Sequence, residues 1–466
     1  MMRYAIALLT ALALSTACMA QVLNAVADRR RAPEPAEPRE TRLSARPAAE
    51  PIPTLKYQLL PTFLEKTPTD AAQTYYQVLT GLTLDDAEKK QIGAWMDLPL
   101  KDLPRKNVHE LLDKHEYWLR QLDRAARCER CDWRYPLREE GYSMLLPELS
   151  KLRDLSKLLF VRARLRIAEG DVEGAVQALQ SGLAMGRHVA EAPVLISALV
   201  GSGTAGKMLQ QVEQLIQEPN SPNLYWALTA LPRPMVDMRK PIEVEMGFAE
   251  MQWPFLAGVA RGGRIDPAQW QKMLNEVPGH GAAQGAVAIM MIRHYAKGKQ
   301  FLIAQGRKPD EVEKMPVREV VSIYAVHTYQ RLRDDLFKWH YVPYWQAQRG
   351  FEQAETALRK DKQSMEAWPL VTLLPALGRV RFQEARLDRH IAALRCIEAV
   401  RLYAAAHDGK PPAKLEDIKA VPIPVNPVTG KPFGYKVDGQ TVTLDAPALE
   451  GMSPSDSGRY ILTLTK

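Results

Sequence analysis

The sequence predicts a mainly α-helical protein: irregular stacked helical hairpins, then a small C-terminal α+β module containing a β-hairpin. Three observations lead there. Apolar residues recur at three- and four-residue steps through the middle of the chain, and two such stretches are parted only by Glu169-Gly170. Convincing alternation with a period of two comes only after residue 410, around an Asp438-Gly439 turn signal.

Taken in order, Arg3 leads an uncharged apolar run over 4–14, followed by the small residues Ser15, Thr16, Ala17, Cys18 and Ala20. A charged start, an apolar core and a small-residue cleavage region make an export signal over 1–20. Two alternatives stay open. The uncharged stretch continues to Ala27, so an uncleaved membrane anchor is conceivable, although Gln21 and Asn24 are polar and Arg29, Arg30 and Arg31 outnumber Arg3. Cys18 after Ala17 is also a candidate for lipid attachment. Residues 21–55 are rich in Pro, Ala, Arg and Glu, with Pro33, Pro35, Pro38, Pro47, Pro51 and Pro53, and are expected to form a disordered, semi-rigid tether.

The remainder divides into an α-helical domain over 56–370 and a long helix plus β-hairpin module over 371–466. Hydrophobic residues make up 46% of the chain and charged residues 25%, enough to bury an ordinary core. The formal net charge of +8 is dispersed among acids, so the pattern argues for a solvated surface and against nucleic acid as a partner.

In the middle, Val172, Ala175, Val176, Leu179 and Leu183 share one helix face behind a capping Asp171. Leu152, Leu155, Leu159 and Leu165 mark the preceding helix, and so short a break between the two requires an antiparallel hairpin. Ser221-Pro222 and Asp266-Pro267 read as further helix starts. Helices are also expected over 70–81, 106–127, 194–217, 241–258, 281–304, 317–338 and 376–406. Past residue 410, 433–437 and 441–444 form the predicted hairpin and 460–464 a third strand.

Three resemblances rest on these residues. With Ala163, Gly170-Asp171, Ala175, Leu179 and Leu183, residues 156–187 resemble one tetratricopeptide unit, departing from it at Arg187 where that family commonly has proline. The helix ending Tyr403 to Gly409, the turn Lys410-Pro411-Pro412 and the hairpin opening Gly430-Lys431-Pro432-Phe433-Gly434-Tyr435 resemble the globular part of type II secretion pseudopilins. The whole, with Leu55-Lys56-Tyr57-Gln58-Leu59-Leu60-Pro61 after the tether and an early C-x-x-C, resembles exported proteins of planctomycete-type bacteria whose role is unknown. That last resemblance implies no activity.

The candidate sites are few. Gly201-Ser202-Gly203-Thr204-Ala205-Gly206-Lys207 has phosphate-loop spacing, but Met208 stands where a Mg²⁺-binding hydroxyl is needed, and close helix packing explains the small residues as well. His109-Glu110-Leu111-Leu112-Asp113 lacks the second histidine of a zinc-protease helix, and His115 falls on another side of the helix from His109. Cys128-Glu129-Arg130-Cys131 is followed by Asp132, which removes haem attachment, and half a zinc site is no site. A structural disulfide between Cys128 and Cys131, turning the chain towards Trp133, is the leading expectation. Thiol redox chemistry helped by Arg124, Arg127 and Arg130 is the alternative. Cys396 reads as a buried small hydrophobe. Among the carboxylates, Glu243 and Glu250 would share a helix face without Glu245.

No catalytic, cofactor-binding or metal-ligating residue is assigned, and no cofactor is expected. The leading functional expectation is an exported, periplasmic or envelope-associated, non-enzymatic scaffold with a protein or peptide partner and a membrane attachment through its N-terminus. An exported thiol-disulfide oxidoreductase using Cys128 and Cys131, and a secretion-apparatus component acting through the C-terminal module, are the alternatives.

Overall fold

A helix begins where a side chain can take up its unpaired N–H groups, and this chain supplies several such caps. The computed structural model describes residues 37–141, 144–276, 283–450 and 452–466. The expected signal over 1–20, Cys18 and the first part of the expected tether lie outside these residues. In chain order, the elements discussed below start with strands β1 (Arg39–Ala45) and β2 (Thr67–Asp70) and helices α1 (Ala71–Gly81), α2 (Asp86–Asp97), α3 (Arg105–Lys114) and α4 (Glu116–Ala126). Strand β3 (Cys128–Arg130) precedes helices α5 (Glu148–Ala168), α6 (Val172–Ala190), α7 (Leu195–Gln217) and α8 (Arg239–Gln252). Helices α9 (Ala283–Ala304), α10 (Val317–Phe337), α11 (Tyr344–Ser364) and α12 (Leu377–Ala405) follow, then strands β4 (Gly434–Asp438), β5 (Thr441–Ala446) and β6 (Gly458–Leu464). The fold is mainly α with a small C-terminal sheet that carries the hairpin, as the sequence predicts.

Asp70 accepts from the Ala72 N–H at 3.0 Å, Asp171 from Gly174 at 2.9 Å and Asp266 from Ala268 at 3.0 Å. Gly170 turns α5 into α6 at φ +71°, where a side chain would be strained, and Leu152, Leu155, Leu159, Leu165, Ala175, Leu179 and Leu183 are all buried in the resulting pair. Two expected helices are broken. The one over 106–127 divides at His115 (φ −109°, ψ 13°), whose buried ring meets Glu88 at 3.0 Å. The one over 241–258 stops at Gln252, two residues before Pro254. Ser221-Pro222 starts no helix, because Arg401 draws on both carbonyl oxygens; a short helix opens only at Tyr225, whose N–H is taken by the Asn223 side chain at 3.0 Å.

The tether expectation needs correcting. Arg39–Ala45 is strand β1, paired in parallel with β6 from Arg39↔Gly458 to Ala45↔Leu464. Its sequence is too polar to read as a strand alone, yet Leu43 and Ala45 alternate inwards and are buried. The sheet order is β1-β6-β5-β4, and β4 and β5 close on each other at Asp438↔Thr441, with Gly439 at φ +57° in the two-residue turn. Val442, Leu444 and Ala446 of β5 are fully buried on the inner face.

Nor is the C-terminal module a separate domain. The chain divides into two compact units: Arg30–Tyr135, Leu146–Pro241 and Arg381–Lys466 cluster in one, Pro136–Leu145 and Ile242–Val380 in the other. Within the latter, α9 packs on α10, and Glu366 accepts from Tyr324 (2.6 Å) and Lys297 (2.7 Å). Among the described residues, no helix is long and apolar enough to cross a membrane.

Within the larger unit a buried ion pair on α12 joins three chain segments. Arg401, 1% exposed, donates to Glu398 at 2.7 Å, to the Arg46 carbonyl at 2.8 Å and to the Ser221 carbonyl at 3.1 Å. Glu398, fully buried, in turn accepts from the Leu224 N–H at 3.0 Å. Arg401→Met would strand that carboxylate in the interior, and is expected to lower the unfolding free energy by about 3–5 kcal/mol. Urea unfolding followed by circular dichroism measures this; an unchanged midpoint would show that the pair does not hold these segments together.

Candidate functional site

The C-x-x-C segment sits where α4 ends and β3 begins. Strand β3 exists because β2 lies parallel to it, joined by the Thr67 N–H to the Arg127 carbonyl at 2.8 Å. Cys128 and Cys131 are both buried and both free thiols, so the expected bond between them is not made in this structure. Other groups hold the turn towards Trp133. Glu191 accepts the Cys131 N–H at 2.8 Å, and the Asp70 oxygen that caps α1 also accepts the Asp132 N–H at 3.0 Å. Trp133 stacks on Tyr75 with centroids 5.7 Å apart and donates its indole N–H to the His188 carbonyl at 2.8 Å.

This packing sets the local acid–base chemistry. Burial first, then the nearby Glu191 and Asp70 carboxylates, push the Cys131 thiol far above its ordinary range. Burial, with Arg187 beside it, lowers His188 to about 4, so the ring is neutral against the Tyr75 hydroxyl 3.1 Å away. Burial also raises Glu191. An attacking thiol needs an accessible thiolate, and Cys131 is held in the opposite state.

Beside Cys131 opens a cavity of about 410 Å³, within the range of about 300–1,000 Å³ usual for small-ligand sites. Three segments wall it: β3 and its continuation bring Arg130 and Asp132, the last turn of α6 and the residue after it bring Arg187 and Glu191, and the start of α8 with the residues before it brings Asp237 and Lys240. The acids are engaged. Asp237 receives both Nε (2.9 Å) and Nη2 (2.5 Å) of Arg239, Asp132 accepts the Arg134 N–H at 3.1 Å, and Glu191 holds the Cys131 N–H. By contrast, Arg130 and Arg187 have no side-chain hydrogen bond or ion pair with any described residue, and Lys240 has only a 3.5 Å contact with the Glu191 carbonyl.

The remaining candidates are dispersed. Gly201 to Lys207 lies wholly inside α7, where backbone N–H groups are committed to the helix and cannot cradle a phosphate. Its small residues serve the crossing with α6: a Cβ on Gly201 would run into the Gly186 carbonyl and Ala190. His109 pairs with Glu169 at 2.5 Å while His115 faces Glu88. Cys396 is fully buried. On α8, Glu250 pairs with Arg333, Glu243 is exposed, and burial alone raises Glu245 to about 7. Among the described residues, no group of three or more His, Cys, Asp or Glu is placed to hold a metal ion. Of the site residues, sequence reasoning marked Cys128, Cys131, Arg130 and Arg187, the last as a departure from the tetratricopeptide pattern. Asp70, Glu191, Asp237 and Lys240 carried no signal, since nothing in linear spacing shows which charges converge. Compared with known protein families, curated proteins and solved structures, the chain matches none.

Two outcomes test this account. Gly201→Ala is expected to cost about 1–3 kcal/mol through overpacking, while Gly203→Ala, exposed with open space at its Cβ position, should gain roughly 1 kcal/mol from helix propensity; thermal or urea unfolding separates them. His188 has a folded pKa of about 4 against 6.5 unfolded, so the unfolded chain binds the proton first as pH falls. Its contribution is therefore fully present above pH 6.5 and lost towards pH 4, about 3 kcal/mol in all. Stability against pH should fall less steeply in this window for His188→Asn; identical slopes would show that His188 does not titrate in this way.

Proposed function

We propose that this chain is an exported, envelope-associated helical scaffold, and that it binds a protein or peptide partner in the cavity beside Cys131. The single observation that carries the reading is a cavity walled by three separate segments, whose two arginines have no side-chain hydrogen bond or ion pair with any described residue while its acids accept from the protein. Such a wall offers donors to a ligand, while burial keeps its one thiol, Cys131, in the protonated form. Export is supported by the run that Arg3 leads, and attachment at the membrane by the same segment or by a lipid on Cys18.

The two other readings have less behind them. Thiol exchange would call on Cys128 and Cys131, both of which are buried, and burial favours the inert protonated form of Cys131. A role in a secretion apparatus rests on a C-terminal module that here shares its sheet with Arg39–Ala45 instead of standing alone.

The full chain, immobilised and probed with an array of short peptides of varied charge, is expected to retain a defined subset. Asp132→Trp, which places a large ring at an exposed position of the cavity wall, should abolish that retention while leaving the circular dichroism spectrum unchanged. Retention of no peptide, or equal retention by the folded Asp132→Trp variant, would overturn the proposal.

A further inference from the structure

We infer that the cavity beside Cys131 selects acidic peptides, binding a carboxylate of the ligand between Arg130, Arg187 and Lys240; this rests on the peptide-binding reading above and names the class of peptide. The three cations come from three segments distant in sequence, β3, the last turn of α6 and the start of α8, yet line one cavity.

Each arginine presents five N–H donors in a planar fork that matches a carboxylate bidentately. For Arg130 and Arg187 none of those donors is taken up by a described residue. Arg187 is half-buried, and its donors meet no acceptor among the described residues. Its place in the last turn of α6 suits the helix dipole, but a diffuse dipole leaves the donors themselves unused.

The acids on the same wall decide the kind of anion. Asp132, Glu191 and Asp237 are turned to the Arg134 N–H, the Cys131 N–H and Arg239. Their charge remains close to any ligand, so a doubly charged phosphate would be repelled more than a singly charged carboxylate.

The test uses the full chain and fluorescence anisotropy of labelled peptides of one length, with Asp and Glu in one and their Asn and Gln isosteres in the other. The acidic peptide is expected to bind about tenfold or more tightly than its isostere. Arg130→Gln and Arg187→Gln should each remove about tenfold of that preference, with Lys419→Gln, exposed and outside the cavity wall, as the charge control without effect. Equal binding of the acidic and neutral peptides, or a preference untouched in both arginine variants, would overturn carboxylate selection and leave peptide binding standing. Displacement of the acidic peptide by an equal concentration of inorganic phosphate would also overturn it, in favour of a small-anion site. Absence of binding by every peptide would bring down the underlying proposal instead.

Discussion

The larger unit depends on placing one guanidinium, that of Arg401, where water cannot reach it. A charge there is tolerable only if its donors find oxygens, and they do: Glu398 one turn back, the Arg46 carbonyl beside β1 and the Ser221 and Pro222 carbonyls of the loop after α7. Asn223 adds bonds to the Ala48 and Glu398 carbonyls at 3.2 and 2.9 Å. The N-terminal segment, the middle loop and the C-terminal helix are therefore satisfied together or not at all. The cluster holds Arg46 and Ala48, just past the end of β1, which itself pairs with β6 from Arg39↔Gly458 to Ala45↔Leu464.

A second cluster of shared hydrogen bonds builds the site. Asp70 serves α1 and the residue after Cys131 with one oxygen, and Glu191 at the end of α6 reaches the Cys131 N–H. Trp133 fills the space over Tyr75 and closes on His188. The C-x-x-C turn is thus held by carboxylates and an indole, and its geometry does not require a sulfur–sulfur bond. The same burial that makes this packing possible keeps the Cys131 thiol protonated and the His188 ring neutral.

The contrast between the charges on that wall matters more than their sum. Formally they balance, yet each acid already accepts from the protein, whereas the two arginines do not donate to any described residue. Dispersed basic charge across the whole chain, +8 in all, concealed this local asymmetry. It arises only where three segments bring their ends to one opening.

What the sequence determined by itself was local. Helix periodicity, the Asp171 cap, Gly170 at the α5–α6 turn and Asp438-Gly439 in the hairpin are written in neighbouring residues, because their energies come from groups a few positions apart. Tertiary structure decided the rest. Arg39–Ala45 became a strand only because β6 offered it a partner, Ser221-Pro222 failed to start a helix because Arg401 took its carbonyls, and Gly201 to Lys207 proved to be a helix crossing instead of a loop. Likewise Arg130, Arg187 and Lys240 came to line one cavity only on folding, since convergence of charge depends on distances in space that spacing along a chain does not encode.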